Sequence, residues 1–457
     1  MHASPNLLVR LRRSLIVFLM LLFCGSAGAS ENPQPAINAG DNAWMLVCTA
    51  LVLMMTAPGL ILFYGGLVRR KNVLATMMHS LILMALASFL WMAVGYSIAF
   101  ADGNAFFGNP LQYFFLGGVG VEPNTTYAAT IPHQTFMLFQ MMFAIITPAL
   151  ISGAVAERIR FGAYLLFMSL WILLVYCPLA HMVWGNGGLF NWALGGRIPV
   201  LDFAGGIVVH ISSGFAALVA AIYLGKRSGY PSEPMIPHNV VLSLIGTGLL
   251  WVGWFGFNAG SALTAGGLAT SAFSATHFSA VGATLAWVAI EWILAGRPSV
   301  LGAASGMVAG LATITPASGF VGIPAAFCIG LAGGAACYFA VSRLKRAFKY
   351  DDSLDVFGVH CMGSTVGILL LGLLADPAVN PLIAATFTRD GAAVSLAGSS
   401  GQFLNQLAGV GFTILYSGVA TLIIIWVVGL ITPLRVSRED EDAGLDISEH
   451  GENAYND

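Results

Sequence analysis

Charged residues are scarce in this sequence. Asp, Glu, Lys and Arg together make up 9% of the 457 residues, and hydrophobic residues make up 57%. An average soluble domain carries roughly 25% charged residues, so a chain of this composition lacks the polar surface that contact with water requires. The scarcity of charge excludes an ordinary soluble protein. It predicts a chain whose natural solvent is the hydrocarbon core of a membrane.

Cysteine is also sparse and shows no pairing pattern. None of the six cysteines forms a CxxC pair, and five of them fall within or beside apolar segments. They are typical of small buried residues and not of a disulfide or metal framework. No glycine loop suited to phosphate stands out, and no nucleophile–base pair supports an intramembrane enzyme. The sequence therefore predicts no enzymatic activity, no metal and no cofactor.

The first 29 residues form a separate segment. Three arginines precede the apolar run at 15–23, and residues 27–29 (AGA) have the small-x-small form of a cleavage site. This order predicts a secretory signal peptide over 1–29; the alternative is an uncleaved first helix. The rest of the chain divides into a transmembrane domain at 30–434 and a tail at 435–457.

Long apolar segments are what the chain has in abundance. Eleven of them follow residue 30, each close to the roughly 20 residues that a helix needs to cross the hydrocarbon. They are too long and too uniformly apolar for barrel strands, so they predict an all-α integral membrane protein with eleven transmembrane helices. The segments lie near 43–68, 73–100, 131–155, 162–183, 203–225, 238–257, 272–295, 300–318, 323–342, 355–375 and 404–433.

Lysine and arginine are distributed unequally between the two sides of this bundle. Cytoplasmic loops are rich in both residues, and 14 of the 16 that follow residue 29 fall in loops on one side. Only Arg197 and Arg389 fall on the other. The pattern predicts an external N-terminus after cleavage and a cytoplasmic C-terminal tail, in a cell inner (plasma) membrane.

A faint internal repeat relates the fifth and tenth segments. Residues 201–203 (LDF) lead to His210, and residues 354–357 (LDVF) lead to His360. Because five spans are an odd number, the second half must cross the membrane in the opposite sense. The repeat predicts two inverted five-helix halves and a peripheral last helix. Their approximate bounds are 43–225, 238–375 and 404–433.

Ionisable groups are expensive inside spans, and two of the histidines there stand at matching positions of the repeat. His210 lies about eight residues into the fifth segment and His360 about six into the tenth. Two facing neutral rings could line a narrow path for a small polar molecule, or relay a proton. The alternative is that a backbone carbonyl satisfies each ring separately.

Two aspartates stand where these same helices start. A carboxylate at such a position can cap backbone N–H groups and favour the positive end of the helix dipole. This is the interpretation for both Asp202 and Asp355. For Asp202, attraction of an external cation is the alternative.

Aromatic residues gather at three places. Phe139 and Phe143 are one helical turn apart in the third segment, Trp184 closes the fourth, and the sixth ends in GWFGFNAGS at 253–261. Aromatics at membrane boundaries are usually interface anchors. The alternative is a cation–π face for an incoming cation. Composition alone does not choose between the two.

Seven motifs spread over the mature chain resemble the ammonium transporter family, in the bacterial form of the Amt/Mep branch of the Amt/Mep/Rh superfamily. The resemblance implies a fold of eleven helices, built as two inverted five-helix halves plus a peripheral last helix. It also implies a homotrimer with one pore per subunit. The motifs are GLVRRKNVL at 66–74, ALISGAVAERIRF at 149–161, AHMVWG at 180–185, LDFAGGIVVHI at 201–211, GWFGFNAGS at 253–261, DVFGVH at 355–360 and GLDISEHGENAY at 444–455.

The same resemblance implies three groups of pore residues. An external site would recruit ammonium, two stacked rings below it would close the pore, and further residues would line the path. The recruitment residues would be Trp184, Ser261, Phe139 and Asp202. The closing rings would be Phe143 and Phe257, and the lining residues His210, His360, Thr315 and Asn258.

The tail motif resembles the cytoplasmic tail of the family, which helps to receive a PII-type signalling trimer. One departure stands elsewhere: Cys361 follows His360 where much of the family has glycine. A thiol there could alter packing or ring orientation, which bears on rate more than on identity. The implied partner-binding residues of the tail are Gly444, Leu445, Asp446, His450, Gly451 and Glu452.

Residues and resemblance together predict an ammonium transporter or channel. It would recruit ammonium at the external face and conduct ammonia, with or without the proton, through an apolar pore lined by histidines. Methylammonium would serve as an analogue. The implied partners are membrane lipid, two further copies of the chain and a PII-type protein, with no nucleic acid. The alternative is an ammonium sensor that signals to a PII-type protein through its tail.

Overall fold

The computed structural model describes residues 37–389 and 391–455. These residues are mostly helical, with one short antiparallel hairpin of Thr388–Arg389 and Ala392–Ala393. The signal peptide predicted at 1–29 lies outside the described residues.

Ten helices in the described ranges are long and apolar enough to cross a membrane, and one more is apolar but shorter. This confirms the prediction of an all-helical, multi-pass membrane protein, and the helices follow the predicted order. Numbered α1 to α11, they are Ala39–Leu67, Arg70–Phe100, His133–Val155, Phe161–Trp184, Gly206–Leu224, Val240–Gly260, Gly267–Ala295, Val300–Ile314, Ile323–Phe348, Phe357–Leu374 and Ser400–Ile431.

The short helix is α8, which stops four residues before the predicted end of its apolar segment at 318. Pro316 has no backbone N–H with which to continue the helical ladder. Residues 315–321 are nevertheless buried, in turns. Their apolar character therefore reflects burial within the protein and not a longer helix.

Polar residues mark where two of the spans begin. The Asn38 side chain accepts hydrogen bonds from the N–H groups of Gly40 and Asp41 at the start of α1. Ser399 does the same for Gln402 at the start of α11. Each cap satisfies backbone donors that a helix leaves unpaired at its N-terminus.

The core of the bundle is formed by α3, α4, α5 and α10, which are mostly buried, whereas α2, α7 and α11 expose most of their length. Two of the central helices, α5 and α10, open with wide π-helical turns at Gly206–Ile211 and Phe357–Cys361. Such turns are frequent at functional sites. The first turn contains His210 and the second contains His360.

A buried ion cluster ties together the loops at one end of the bundle. Arg227 binds Glu157 (3.0 Å) and Asp351 (2.8 Å), and Arg69 binds Glu157 (2.9 Å). Burial by itself would raise the pKa of Glu157, but Arg227 and Arg69 outweigh it and hold that pKa below its ordinary value. The pKa of Asp351 is likewise lowered, because its bonds to Arg227 outweigh burial. Both carboxylates are therefore charged at neutral pH.

Candidate functional site

Asp202 organises the turn that leads into α5. Its carboxylate accepts hydrogen bonds from the N–H groups of Gly205 (2.8 Å), Gly206 (2.6 Å) and Ile207 (2.7 Å). Gly205 has φ +114°, a conformation that side chains rarely adopt. The capping role predicted for Asp202 is therefore confirmed.

The capping role predicted for Asp355 is wrong. The carboxylate of Asp352 accepts the N–H of Phe357 (2.7 Å) at the start of α10, while Asp355 pairs with Lys345 (2.6 Å). Asp352 stands eight residues before His360, as Asp202 stands eight before His210. The similar letters of the two motifs had matched Asp355 to Asp202, although Asp352 is the counterpart of Asp202. The carboxylate of Asp355 pairs with Lys345 instead of with the helix start.

His210 and His360 face each other inside the bundle. Their Nδ1 atoms are 3.3 Å apart, and their rings are stacked with centroids 5.2 Å apart. Both residues are buried. Of the two interpretations left open by the sequence, the geometry matches facing rings. Nε2 of His210 has no hydrogen-bond partner in the described part of the chain.

A small apolar cavity, here called the histidine cavity, surrounds this pair. Its volume is about 10 Å³, close to the least that holds one water-sized molecule. Apart from the two imidazoles and the Trp254 indole, its side chains are hydrocarbon or thioether. They are Met55, Leu60, Phe63, Ile146, Leu150, Val209, Leu250, Phe257 and Val308.

A run of aromatic rings separates the histidine cavity from a larger one. Phe143 and Phe257 lie face to face at a tilt of 34°, with centroids 4.3 Å apart. Phe257 then stacks on His210 at 6.0 Å. On the other side, Phe143 meets Trp184 edge-on at 6.0 Å. The two phenylalanines predicted to close a pore thus lie together between the two cavities.

The larger space, here called the Trp184 cavity, has a volume of about 440 Å³. Trp184, Ser261, Asp202 and Phe143 are among its lining residues, and no lysine or arginine is among them. The Trp184 indole donates to the backbone oxygen of Asp202 (3.0 Å), which fixes the orientation of its ring. The Ser261 hydroxyl donates to the Phe257 carbonyl (2.8 Å), so its oxygen remains available to accept a bond.

Three predicted site residues lie behind these linings. Phe139 packs edge-on against Phe143 with centroids 5.0 Å apart. The Asn258 amide donates to Thr276 (2.9 Å). The Thr315 hydroxyl accepts the indole N–H of Trp254 (2.9 Å). None of the three lines the Trp184 cavity or the histidine cavity.

Trp254 is a site residue that sequence reasoning missed. Its ring stacks on His210 at 5.4 Å and 24°, and its N–H is held by Thr315. The only signal in the sequence was its place in the GWFGFNAGS motif, in which Phe257, Asn258 and Ser261 had been singled out. Burial against a histidine could not be deduced from that position.

On the far side of the histidines lies a third space, here called the Lys345 cavity, of about 270 Å³. His360 borders it, together with Arg227, Lys345 and Asp355. Two cations and one carboxylate therefore line this cavity, in contrast to the Trp184 cavity. The histidine pair thus stands between the Trp184 cavity and the Lys345 cavity.

The predicted partner-binding residues lie in a tail that docks on the bundle. Two short helices, α12 (Arg438–Ala443) and α13 (Leu445–His450), form it. The N–H of Leu445 donates to Asn72 (2.9 Å), and the Asp446 carboxylate accepts the N–H of Ala75 (2.8 Å).

The other predicted tail residues also have defined contacts or backbone conformations in this segment. The His450 ring packs edge-on against Phe161, with centroids 5.1 Å apart, and the N–H of Glu452 donates to the Asp446 carbonyl (3.1 Å). Gly444 and Gly451 have φ of +106° and +69°. Both therefore adopt backbone conformations that favour glycine.

Fold and site together define a multi-pass helical membrane protein with a small apolar cavity around two buried histidines. The chain belongs to the ammonium transporter family, since the model described as the Ammonium Transporter Family matches residues 43–455. This confirms the resemblance seen in the motifs. The family consists of transporters and not enzymes, as predicted.

Named relatives agree with this assignment. An ammonium transporter of Bacillus subtilis is 48% identical over 418 residues, which are 92% of this chain and 99% of the relative. An ammonium transporter of Aquifex aeolicus is 45% identical and covers 96% and 98% of the two chains. Identity at this level over nearly whole chains indicates a shared fold throughout.

Solved structures agree as well. The crystal structure of Saccharomyces cerevisiae Mep2 matches with a TM-score of 0.80 at 34% identity, over 91% of this chain and 93% of that one. A structure titled Sensor Amt Protein matches with a TM-score of 0.79 at 26% identity, over 90% and 98%. The helical bundle is thus the architecture of Amt and Mep proteins.

Proposed function

We propose that this protein recruits ammonium as a cation in the Trp184 cavity and conducts it as ammonia past Phe143 and Phe257 to the two histidines. The observation that carries the proposal is the pair His210 and His360, 3.3 Å apart in an apolar space of about 10 Å³. A space of that size and polarity suits one small, neutral, hydrogen-bonding molecule.

Recruitment would depend on the aromatic and oxygen groups of the Trp184 cavity. The oriented indole face of Trp184 attracts a cation through its quadrupole, and the free lone pairs of Ser261 accept a hydrogen bond from it. Asp202 is the one charged residue that lines this cavity. Phe139 supports Phe143 from behind.

Selectivity against potassium would follow from chemistry more than from diameter. Ammonium can donate hydrogen bonds and release a proton, and potassium can do neither. A passage lined by hydrocarbon and two imidazoles therefore admits the neutral product of ammonium and rejects an ion that must stay charged. Thr315 and Asn258 would act from behind the cavity linings. Thr315 holds the Trp254 indole against His210.

The Lys345 cavity is the proposed exit. His360 borders it, so a molecule that leaves the histidines would enter it. The proposed path thus runs from the Trp184 cavity through the histidine cavity to the Lys345 cavity.

We further propose the complete topology. The protein has eleven spans, with α8 as the short one, in two inverted halves of about 43–225 and 238–375 and a last helix at about 404–433. The matched caps of Asp202 and Asp352, each eight residues before a histidine, support this repeat. A signal peptide at 1–29 leaves the N-terminus outside, and the tail at 435–457 lies in the cytoplasm, in the inner membrane.

Assembly as a homotrimer is also proposed. His277 is exposed on span α7, and its ring centroid lies 5.3 Å from that of Trp251. An imidazole facing lipid is costly, so this face suits contact with another subunit better than contact with lipid. Membrane lipid would surround the remaining exposed helices.

The docked tail suits contact with a PII-type signalling protein at Gly444, Leu445, Asp446, His450, Gly451 and Glu452. A second candidate function, an ammonium sensor acting through this tail, is favoured by the likeness to the structure titled Sensor Amt Protein. Transport and signalling through one tail are compatible.

The decisive experiment is the current evoked by an ammonium pulse on proteoliposomes containing the purified protein, with methylammonium and potassium as controls. A saturable, ammonium-selective current is expected if the proton follows the ammonia. Faster internal alkalinisation without current would indicate an electroneutral channel. The absence of both signals would refute transport and leave the sensor.

A further inference from the structure

The helices that carry the two histidines touch through a glycine. Gly214 lies in α5, four residues after His210, and Cys361 directly follows His360. A Cβ atom added at Gly214 would lie 2.6 Å from the backbone N of Cys361 and 2.7 Å from its Cβ. No real Cβ atom lies so close to another atom, so the two backbones approach here only because residue 214 has no side chain.

This contact lies next to the histidine pair. Residues four apart on a helix share a face, so Gly214 and His210 present the same side of α5 to α10. Cys361 is buried. The residue before it is His360, whose Nδ1 atom lies 3.3 Å from Nδ1 of His210. The separation of the backbones at 214 and 361 therefore sets the separation of the two rings.

Neither helix is free to move back from this contact. On the far side of α5, the Ser417 hydroxyl donates to the Ser212 carbonyl (2.7 Å). In α10, the Ser364 hydroxyl donates to the Ala312 carbonyl (2.7 Å) and holds this helix to α8. Crowding between Gly214 and Cys361 would therefore be transmitted to the histidine cavity.

We propose that Gly214 is a positioning residue whose missing side chain sets the spacing of His210 and His360, and thereby the selectivity of the passage for ammonia. The inference rests on the proposed function. The small residue of the pair stands on α5 and the larger on α10.

The test compares Gly214→Ala with two other glycine-to-alanine variants in the full-length protein. At Gly248 an added Cβ meets nothing within 4 Å, which makes Gly248→Ala the control for the substitution itself. Gly363→Ala would crowd α10 against the Thr313 hydroxyl at 2.9 Å and the Cys337 thiol at 3.1 Å. It controls for crowding of the same helix away from α5.

Gly214→Ala is expected to lower ammonium transport on the order of tenfold or more, as small misplacements of reacting groups do. The ratio of ammonium to potassium transport falls with it. A structure of the variant would show the Nδ1 atoms farther apart than 3.3 Å. Gly248→Ala and Gly363→Ala keep the wild-type ratio. A folded Gly214→Ala protein with wild-type ratio and distance would overturn the proposal.

A second pair of variants decides the matter if Gly214→Ala does not fold. Cys361→Ala adds no volume and should preserve the ratio, whereas the branched side chain of Cys361→Val crowds Gly214 from α10 and should lower the ratio. Equal ratios in the two variants would overturn the proposal. If the wild-type protein carries no ammonium, the proposed function fails, and the Nδ1 separation in structures of the variants still tests the positioning role.

Discussion

His210 and His360 constrain each other's protonation. Two Nδ1 atoms 3.3 Å apart share a hydrogen bond only if one carries the hydrogen and the other accepts it. In the neutral pair, one Nε2 is then an acceptor and the other a donor. The pair can therefore accept a bond from ammonia at one end and donate one at the other. Trp254 and Phe257 stack on His210 and exclude water from this exchange.

Replacing His210 by aspartate is expected to admit potassium. A carboxylate in the histidine cavity supplies negative charge and oxygen ligands, which a cation needs once it has lost its water. Potassium current through proteoliposomes, absent in the wild type, should appear in His210→Asp. His210→Asn, of the same shape without the charge, should lower ammonium flux and still exclude potassium. Equal potassium exclusion in both variants would contradict a filter that depends on an uncharged lining.

At the scale of the helix, α5 and α10 begin inside the protein, and their first N–H groups depend on one carboxylate each. Asp202 is buried beside the N–H groups of Gly205, Gly206 and Ile207. Asp352 is buried beside that of Phe357. These caps hold the π-helical turns that carry the two histidines.

Asp202→Ala is expected to lower the free energy of unfolding by about 1–3 kcal/mol or more, because buried N–H donors lose their acceptor. Asp352→Ala, which removes fewer bonds to the helix start, should cost less. Thermal unfolding followed by tryptophan fluorescence measures both. Asp376→Ala, at an exposed turn where Asp376 accepts the N–H of Ala378 (2.8 Å), is the control. An equal effect of all three substitutions would argue against buried capping as the cause.

The buried ion cluster belongs to the same scale, because it joins the ends of several helices. Arg227 is only 4% exposed and compensates Glu157 and Asp351, whose side chains are fully buried. Removing one partner of a buried pair leaves uncompensated charge and typically costs 3–5 kcal/mol. Arg227→Gln is therefore expected to destabilise the protein by about that amount at pH 7.

The pH dependence of this effect has a definite sign. In the wild type, the lowered pKa values of Glu157 and Asp351 stabilise the folded protein at pH values above the ordinary carboxyl pKa. This stability is lost as the pH falls through the pKa values of the folded state. In Arg227→Gln, the Glu157 and Asp351 carboxylates lose the charge of Arg227, so burial favours their protonated forms. The difference in melting temperature between the two proteins should therefore narrow as pH falls below about 4. Arg438→Gln, with the side chain 83% exposed, should show almost no difference at any pH.

At the scale of the whole molecule, the tail connects distant parts of the chain. Gly444 lies against Lys71, whose ammonium group donates to the carbonyls of Glu441 (3.0 Å) and Asp442 (2.6 Å). Asp446 holds the start of α2 through Ala75. The tail therefore packs on the same end of the bundle as the buried ion cluster, within reach of a cytoplasmic partner in the proposed topology.

Gly444→Ala should release this tail. An added Cβ would lie 2.6 Å from the Lys71 backbone oxygen, at φ +106°, so both contact and conformation oppose it. Limited trypsin digestion, read by mass spectrometry, should cleave after Arg435 and Arg438 several-fold faster than in the wild type. Gly451→Ala is the matched control, since its added Cβ would meet nothing within 4 Å. Equal digestion of the two variants would refute docking through Gly444.

The sequence determined by itself the features that depend on composition along the chain. Apolar segments long enough for the membrane predicted the helices and their order, because hydrocarbon admits backbone only as helices or closed barrels. Among the histidines of the spans, His210 and His360 stood out because similar motifs precede them. The bounds of α8 were less accurate, because burial in protein and burial in lipid select the same residues at 315–318.

Only the tertiary structure decided which groups meet. It assigned the cap of α10 to Asp352 and the ion pair with Lys345 to Asp355, a choice that depends on where α9 ends. It placed Trp254 on His210 and Gly214 on Cys361, contacts between different helices. Periodicity along one helix defines which of its faces is buried, and the partner of that face is set by the packing of the whole bundle.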